Sequence, residues 1–201
     1  MSLTVSGTTG GKNFENCPEG TFAARCYQIV DLGHQTVIWE GQASVKPIVR
    51  ITWELSEKMT NGRPFVISKE YTARITPKSS LKKDLEAWRG RAFTDQELAN
   101  FSLENVLSKP CLLQVTHKKS GDKSYANVSS IMSLPKGMPC EDLVNPAVTF
   151  DINEFNKEVF EALPEFIRKK IFLSKEMEER QVPVNEPEPA PAEDQDSDIP
   201  F

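Results

Sequence analysis

Val45 to Leu55 reads VKPIVRITWEL, and its alternation decides the fold class. Val45, Val49, Ile51, Trp53 and Leu55 fall on one parity, and Lys46, Arg50, Thr52 and Glu54 fall on the other. Period two turns one face of a strand to a core and the other to water or a ligand, which assigns Trp53 to the core. Just downstream, Asn61-Gly62 is a turn signal, and Phe65 to Ile75, FVISKEYTARI, reads as the return strand of a hairpin that Pro77 stops.

Upstream, Gly20 to Leu32 interleaves β-branched and aromatic residues with small or polar ones and predicts a strand. A break at Gly33-His34-Gln35 precedes a second short strand, Thr36 to Glu40, ending at Gly41. Downstream, Ser79 or Ser80 caps a predicted helix through Trp88, with Leu81, Leu85 and Trp88 on one face. Thr94-Asp95-Gln96-Glu97 has capping-box spacing, which predicts a second helical piece. Strand grammar resumes with Cys111 to Lys118, a basic turn, and Tyr125 to Leu134.

Strands, a helical insertion and two further strands match an OB-fold, a five-stranded Greek-key barrel with its helix between the third and fourth strands. A generic α+β domain is the competing arrangement. The expected organisation is a flexible leader over 1–19, a barrel over 20–139 with a helical insertion at 79–108, and a helical extension over 140–180. In that extension, Asp151 to Leu163 and Glu165 to Arg180 carry apolar residues, Phe166 and Ile171 among them, at helical spacing. From 181 to 201 Pro recurs, the charge has one sign and large apolar residues are nearly absent until the last three positions. That composition predicts disorder, because it buries too little surface to offset ordering entropy.

The formal charge is -5, but it is unevenly spread. Met1 to Cys140 holds 18 basic and 13 acidic side chains, a net of +5, whereas Gln181 to Phe201 holds six acidic and no basic ones. A mildly basic body with an acidic tail points to a charged partner. No apolar run approaches a membrane span and no signal peptide is evident, so a cytoplasmic protein is expected, without membrane contact. Cys17, Cys26, Cys111 and Cys140 form no CxxC pair, so neither a zinc framework nor a disulfide framework is indicated, and no metal or cofactor is expected. Gly7 to Asn13 has the wrong spacing for a phosphate loop, and no catalytic motif stands out, which argues against an enzyme.

Single-stranded DNA is gripped by cations along phosphates and by rings stacked on bases. The candidates are Lys46 and Arg50 on the polar parity of VKPIVRITWEL, then Lys69, Tyr71 and Arg74 on the next strand. Lys118, Lys119 and Lys123 crowd the turn between the last two strands, and Trp39 and Tyr125 stand at strand ends. The competing reading makes the aromatic residues barrel-closing and the lysines ordinary solvated charges.

The final six residues, Asp196-Ser197-Asp198-Ile199-Pro200-Phe201, closely resemble the C-terminal tip of bacterial and phage single-stranded-DNA-binding proteins, where an acidic run ends in Ile-Pro-Phe. Ser197 stands where that family usually has an acid. The leader, the long insertion and the extra helices depart from the bacterial proteins and look more like a phage-encoded member working in a bacterial host cell. The resemblance implies roles in DNA replication, recombination or repair, and recruitment of polymerase, helicase, primase or nuclease partners through the tip. Physically, Phe201 and Ile199 offer apolar contacts, Pro200 restricts conformation, and Asp194, Asp196 and Asp198 can meet a basic rim. A homo-oligomer is compatible with the sequence. The alternative function is a recombination adaptor or strand-annealing protein acting mainly through protein contacts.

Overall fold

A computed structural model describes residues 15–121 and 123–181. They form a mainly β structure: an open six-stranded sheet with short helices on both faces. The strands are β1 (Gly20–Trp39), β2 (Gln42–Lys58), β3 (Pro64–Thr72), β4 (Pro110–Ser120), β5 (Lys123–Met132) and β6 (Val148–Phe150). The helices are α1 (Ser80–Arg89), α2 (Asp95–Ala99), α3 (Lys157–Ala162), α4 (Glu165–Phe172) and α5 (Lys175–Gln181), with a 3-10 turn at Leu103–Val106. The ladder order is β3-β2-β1-β4-β5, all antiparallel, and β6 joins β1 in parallel beside Gln28 to Val30. No helix among the described residues is long and apolar enough to cross a membrane.

The two strands expected within 20–40 are one. β1 runs unbroken through Gly33, absorbing the irregularity as register shifts at Cys26/Gln28 and Asp31/His34. Gly33 has φ 70, and a Cβ there would lie 2.5 Å from Glu176 Oε2 and 2.7 Å from Ser174 Cβ, so close packing with the start of α5 fixes the glycine. β1 turns into β2 through Glu40 and Gly41, with φ 49 and 78; two successive left-handed residues match the twist of a tight hairpin.

Alternation in β2 sorts two cores. Val49, Ile51, Trp53 and Leu55 face inward with Cys26, Ile67, Leu113 and Val128, and α1 closes that core with Leu81, Leu85 and Trp88. Trp53 is fully buried against Trp88, ring centroids 5.7 Å apart. Val45, assigned to the same apolar face by parity, is exposed because the hairpin there extends past the core. On the outer face, Val30, Leu32 and Ile48 pack against Phe150, Phe160, Leu163, Ile167 and Ile171.

The insertion follows its caps. Ser79 Oγ accepts from Lys82 N, and Thr94 and Glu97 form the reciprocal capping box. The extension differs from expectation: its first element is the three-residue strand β6, and its helical part has three helices where the spacing predicts one or two. Buried Ser174 divides them, since its Oγ accepts from Met177 N and restarts the helix as α5. Glu54, only 6% exposed, accepts from Val144 N, Asn145 N and Asn145 Nδ2 at 2.6 to 2.9 Å, so one outer-face carboxylate of β2 pins the 144–145 loop.

Candidate nucleic-acid interface

The outer parity of β1 and β2 carries Tyr27, Gln28, Arg50 and Thr52 beyond the helical cover. They floor a groove of about 470 Å³, walled on one side by Val66 to Ser68 of β3, on the other by Tyr125 and Ala126 of β5, and at one end by Pro164, Phe166 and Ile167. Tyr125 is 52% exposed and Phe166 58%, so two aromatic rings stand open at this groove. Arg50 lies over the Phe166 ring at 5.1 Å, donates through Nη1 to Glu70 Oε1 at 3.2 Å, and has its Nε buried without a partner. Glu70 is shared with Lys170 of α4. One acid therefore sits between two cations, leaving the trio with a single positive charge.

Burial, and next Glu54, raise the Tyr27 pKa against the opposing effect of Arg50, so its phenol stays protonated through neutral pH. The ring is a neutral platform with a hydroxyl donor, suited to bases rather than to repelling phosphates.

The β4–β5 hairpin brings one cation from each strand to the same side as Tyr125. Lys118 and Tyr125 are directly opposed in the β4–β5 ladder, and Ser120 is opposed to Lys123. Directly opposed residues share a face, and so do residues two apart on one strand, so Lys118, Tyr125 and Lys123 form one row leading to the hairpin turn. Lys119, paired with Ser124, falls on the other parity. All three lysines are exposed.

The remaining candidates are dispersed. Lys46 shares parity with Arg50, but lies four residues, about 13 Å, further along β2. Trp39 closes β1 opposite Gln42 at the other hairpin tip, and its side chain lies outside the described parts of the chain. Arg74 is exposed just beyond β3. The assignment of Lys69 and Tyr71 to a binding face needs correction. β3 pairs Val49 with Tyr71 and Ile51 with Lys69, which puts both on the inner parity. Tyr71 is 3% exposed and donates its hydroxyl to Asp84 of α1 at 2.9 Å, and Lys69 donates to the same carboxylate at 2.7 Å. A ring so buried has no face for a base. Asp194, Asp196, Asp198, Ile199, Pro200 and Phe201 lie outside the described residues.

Sequence reasoning missed Tyr27 and Phe166. Tyr27 sits beside the β1 bulge, where the register shift obscures parity. Phe166 was assigned to a packing stripe, whereas α4 buries Ile167 and Ile171 instead. The spacing of four from Ile167 to Ile171 was the available signal.

Two other cavities frame the choice of site. A cleft of about 820 Å³ is lined by Asp31, Glu104, Asp151, Glu154 and Glu176, and repels a polyanion. Burial is the main cause that raises the Asp31 pKa. No group of His, Cys, Asp and Glu among the described residues is arranged to hold a metal ion. The second cavity, about 580 Å³, lies in the helical insertion and is chiefly apolar. Burial pushes the Cys26 thiol up to about 12 and Cys17 to about 11, so neither is a ready nucleophile at neutral pH. No protein-family model matches the chain, and no curated protein sequence matches it.

Proposed function

We propose that this chain binds single-stranded DNA without sequence preference, laying the strand through the groove between β3 and β5, and acts as a binding protein rather than a catalyst. The observation that carries this reading is the grouping of Tyr27, Tyr125, Phe166 and Arg50 at one groove, continued by Lys118 and Lys123 on the face of Tyr125. Rings stack on any base, and cations follow any phosphate, so such a surface is indifferent to sequence.

The finer architecture proposed is an OB-like barrel left open between β3 and β5. Its support is the order β3-β2-β1-β4-β5, a β1 long enough to pair with both β2 and β4, an α1 between β3 and β4, and a groove whose walls come from the two ends of that order. On this reading the acidic tip recruits replication, recombination or repair proteins, as the resemblance to phage and bacterial single-stranded-DNA-binding proteins implies.

The test is a titration of fluorescently labelled oligo-dT, and separately of an equal duplex, with the full chain at two salt concentrations. Tight, salt-sensitive binding of the single strand alone is expected. Equal affinity for the duplex, or none for either, would reject the proposal in favour of a protein-contact adaptor.

A further inference from the structure

The cavity in the insertion is built for a different ligand. Leu85, Trp88, Phe93, Phe101, Val106 and Pro110 give it apolar walls. Trp88 is 6% exposed and already donates its Nε1–H to Pro110 O at 2.8 Å, so only an edge of its indole reaches the cavity, and the more open apolar walls are Phe101, Val106 and Pro110. The rim is basic. Arg89 and the acid Glu97 both line the cavity, and Arg91 joins them from outside the lining. Each arginine reaches Glu97 Oε1 at 2.6 Å, which leaves the trio a net positive charge, and Arg91 remains 60% exposed. Lys109, exposed on the opposite lip, makes no ion pair among the described residues. An apolar well edged by Arg and Lys suits a peptide whose large apolar side chains directly follow acids.

This chain carries such a peptide beyond Gln181: Asp194, Asp196 and Asp198 lead into Ile199-Pro200-Phe201. We propose that the pocket formed by α1, α2 and the 3-10 turn seats the chain's own Ile199-Pro200-Phe201, with Asp196 and Asp198 against Lys109 and the adjoining pair Arg89 and Arg91. The acidic cleft is closed to this segment by charge.

Reach permits the seat. The eighteen residue steps from Gln181 to Ile199 span up to about 60 Å, whereas a compact body of this size measures only about 40 Å across. The starting point is also near, since Glu176 of α5 and Phe101 line one cleft, and Phe101 is itself a wall of the pocket. Tethering supplies an effective concentration in roughly the millimolar range, enough to populate a seat of modest intrinsic affinity. A seated tip is hidden from other proteins, which makes the pocket a regulator of recruitment. The inference rests on the reading of the tip as a recognition segment, and not on DNA binding.

The experiment replaces Phe201 in the full chain with the photo-crosslinker p-benzoyl-phenylalanine, irradiates at low micromolar concentration and maps the links by mass spectrometry. Links confined to 85–110, within single chains, are expected, and Lys109→Glu should lower their yield at least about threefold through loss of rim charge. In the unlabelled full chain, Phe201→Ala should shift the Trp88 indole N–H resonance while leaving that of Trp53 in place. Links to 50–68 or 125–126, links only between chains, a scatter without preference, or an unmoved Trp88 resonance would overturn the proposal. Failure of the DNA reading would leave this map intact, and failure of the map would leave the oligo-dT titration unchanged.

Discussion

Tyr125→Ala separates a stacking surface from a structural one. The side chain is half exposed at the groove, and its strand keeps its pairing with β4 and the buried Val128 and Ile131, so the fold should lose less than about 1 kcal/mol. If the ring stacks on one base, its removal forfeits about 1 to 3 kcal/mol of binding, which is about 5- to 150-fold in Kd. Tyr125→Phe preserves the π face and should bind within about twofold of the parent. Tyr71→Phe provides the opposite control: it removes a buried hydroxyl that donates to Asp84, and should lower stability by about 1 to 2 kcal/mol without changing affinity. Anisotropy with labelled oligo-dT reads binding, and thermal unfolding reads the fold. A folded Tyr125→Ala protein that binds as tightly as the parent, or a Tyr71→Phe protein that loses affinity equally, would refute the assignment of faces.

Lys118→Ala with Lys123→Ala should flatten the slope of log affinity against log salt by about 1.4, from about 0.7 per phosphate contact on a single strand, whereas Lys69→Ala should leave it unchanged because Lys69 is committed to Asp84. Gly33→Ala combines a left-handed backbone with a Cβ placed against Ser174 and Glu176, and should destabilise by about 2 to 4 kcal/mol, read as a lowered thermal midpoint. Hydrogen bonds from Arg89, then Thr94 N–H and Arg91, hold the Glu97 pKa down to about 2. Because the folded value lies below the unfolded one, this contribution is present above about pH 4.5 and is lost as pH falls toward 2. Carboxyl NMR should show that titration, and Arg89→Ala should move it upward. Glu54→Gln, replacing an acceptor of three N–H donors with a side chain that must turn part of its amide away from them, should cost about 2 to 3 kcal/mol and first release the 144–145 loop in hydrogen exchange.

What the sequence disclosed follows from how local each signal is. The apolar parity of Val49 to Leu55, the Asn61-Gly62 turn and the Thr94 capping box each involve neighbours within a few residues and appear in the structure as read. The opposite parity, expected to face water or a ligand, is buried too at Thr52 and Glu54, under the extension that follows β5. β6 has three residues and exists only because Gln28 to Val30 offer it an edge, so no local pattern could announce it. Residue type misled at Lys69 and Tyr71, although they share the parity of Phe65 and Ile67. Their strand reads polar at that point, but the polarity is spent inward on Asp84, a residue of the following helix. A charged residue on an inner face becomes legible only when its partner across the fold is known.

The same geometry bears on how a chain of net charge -5 can attract a polyanion. Beyond about 8 to 10 Å, the screening length in physiological salt, the net charge is largely screened, and within that distance the local arrangement decides. Here the acids are placed unevenly: five line the cleft beside α5, whereas at the groove Glu15 is in the lining, Glu70 pairs with Arg50 of the floor and Glu54 acts on Tyr27. Glu70 holds Arg50 across Phe166 and simultaneously pairs with Lys170. An incoming phosphate can take over one of these cations without stranding a buried charge, because Glu70 keeps the other. On the proposed reading, the trio is thus held in an ordered state of single positive charge that a phosphate would enter by exchange. Removing the exchangeable acid should therefore raise affinity: Glu70→Gln is expected to tighten oligo-dT binding several-fold at low salt, and an unchanged or weaker Kd would show that Arg50 does not face the strand.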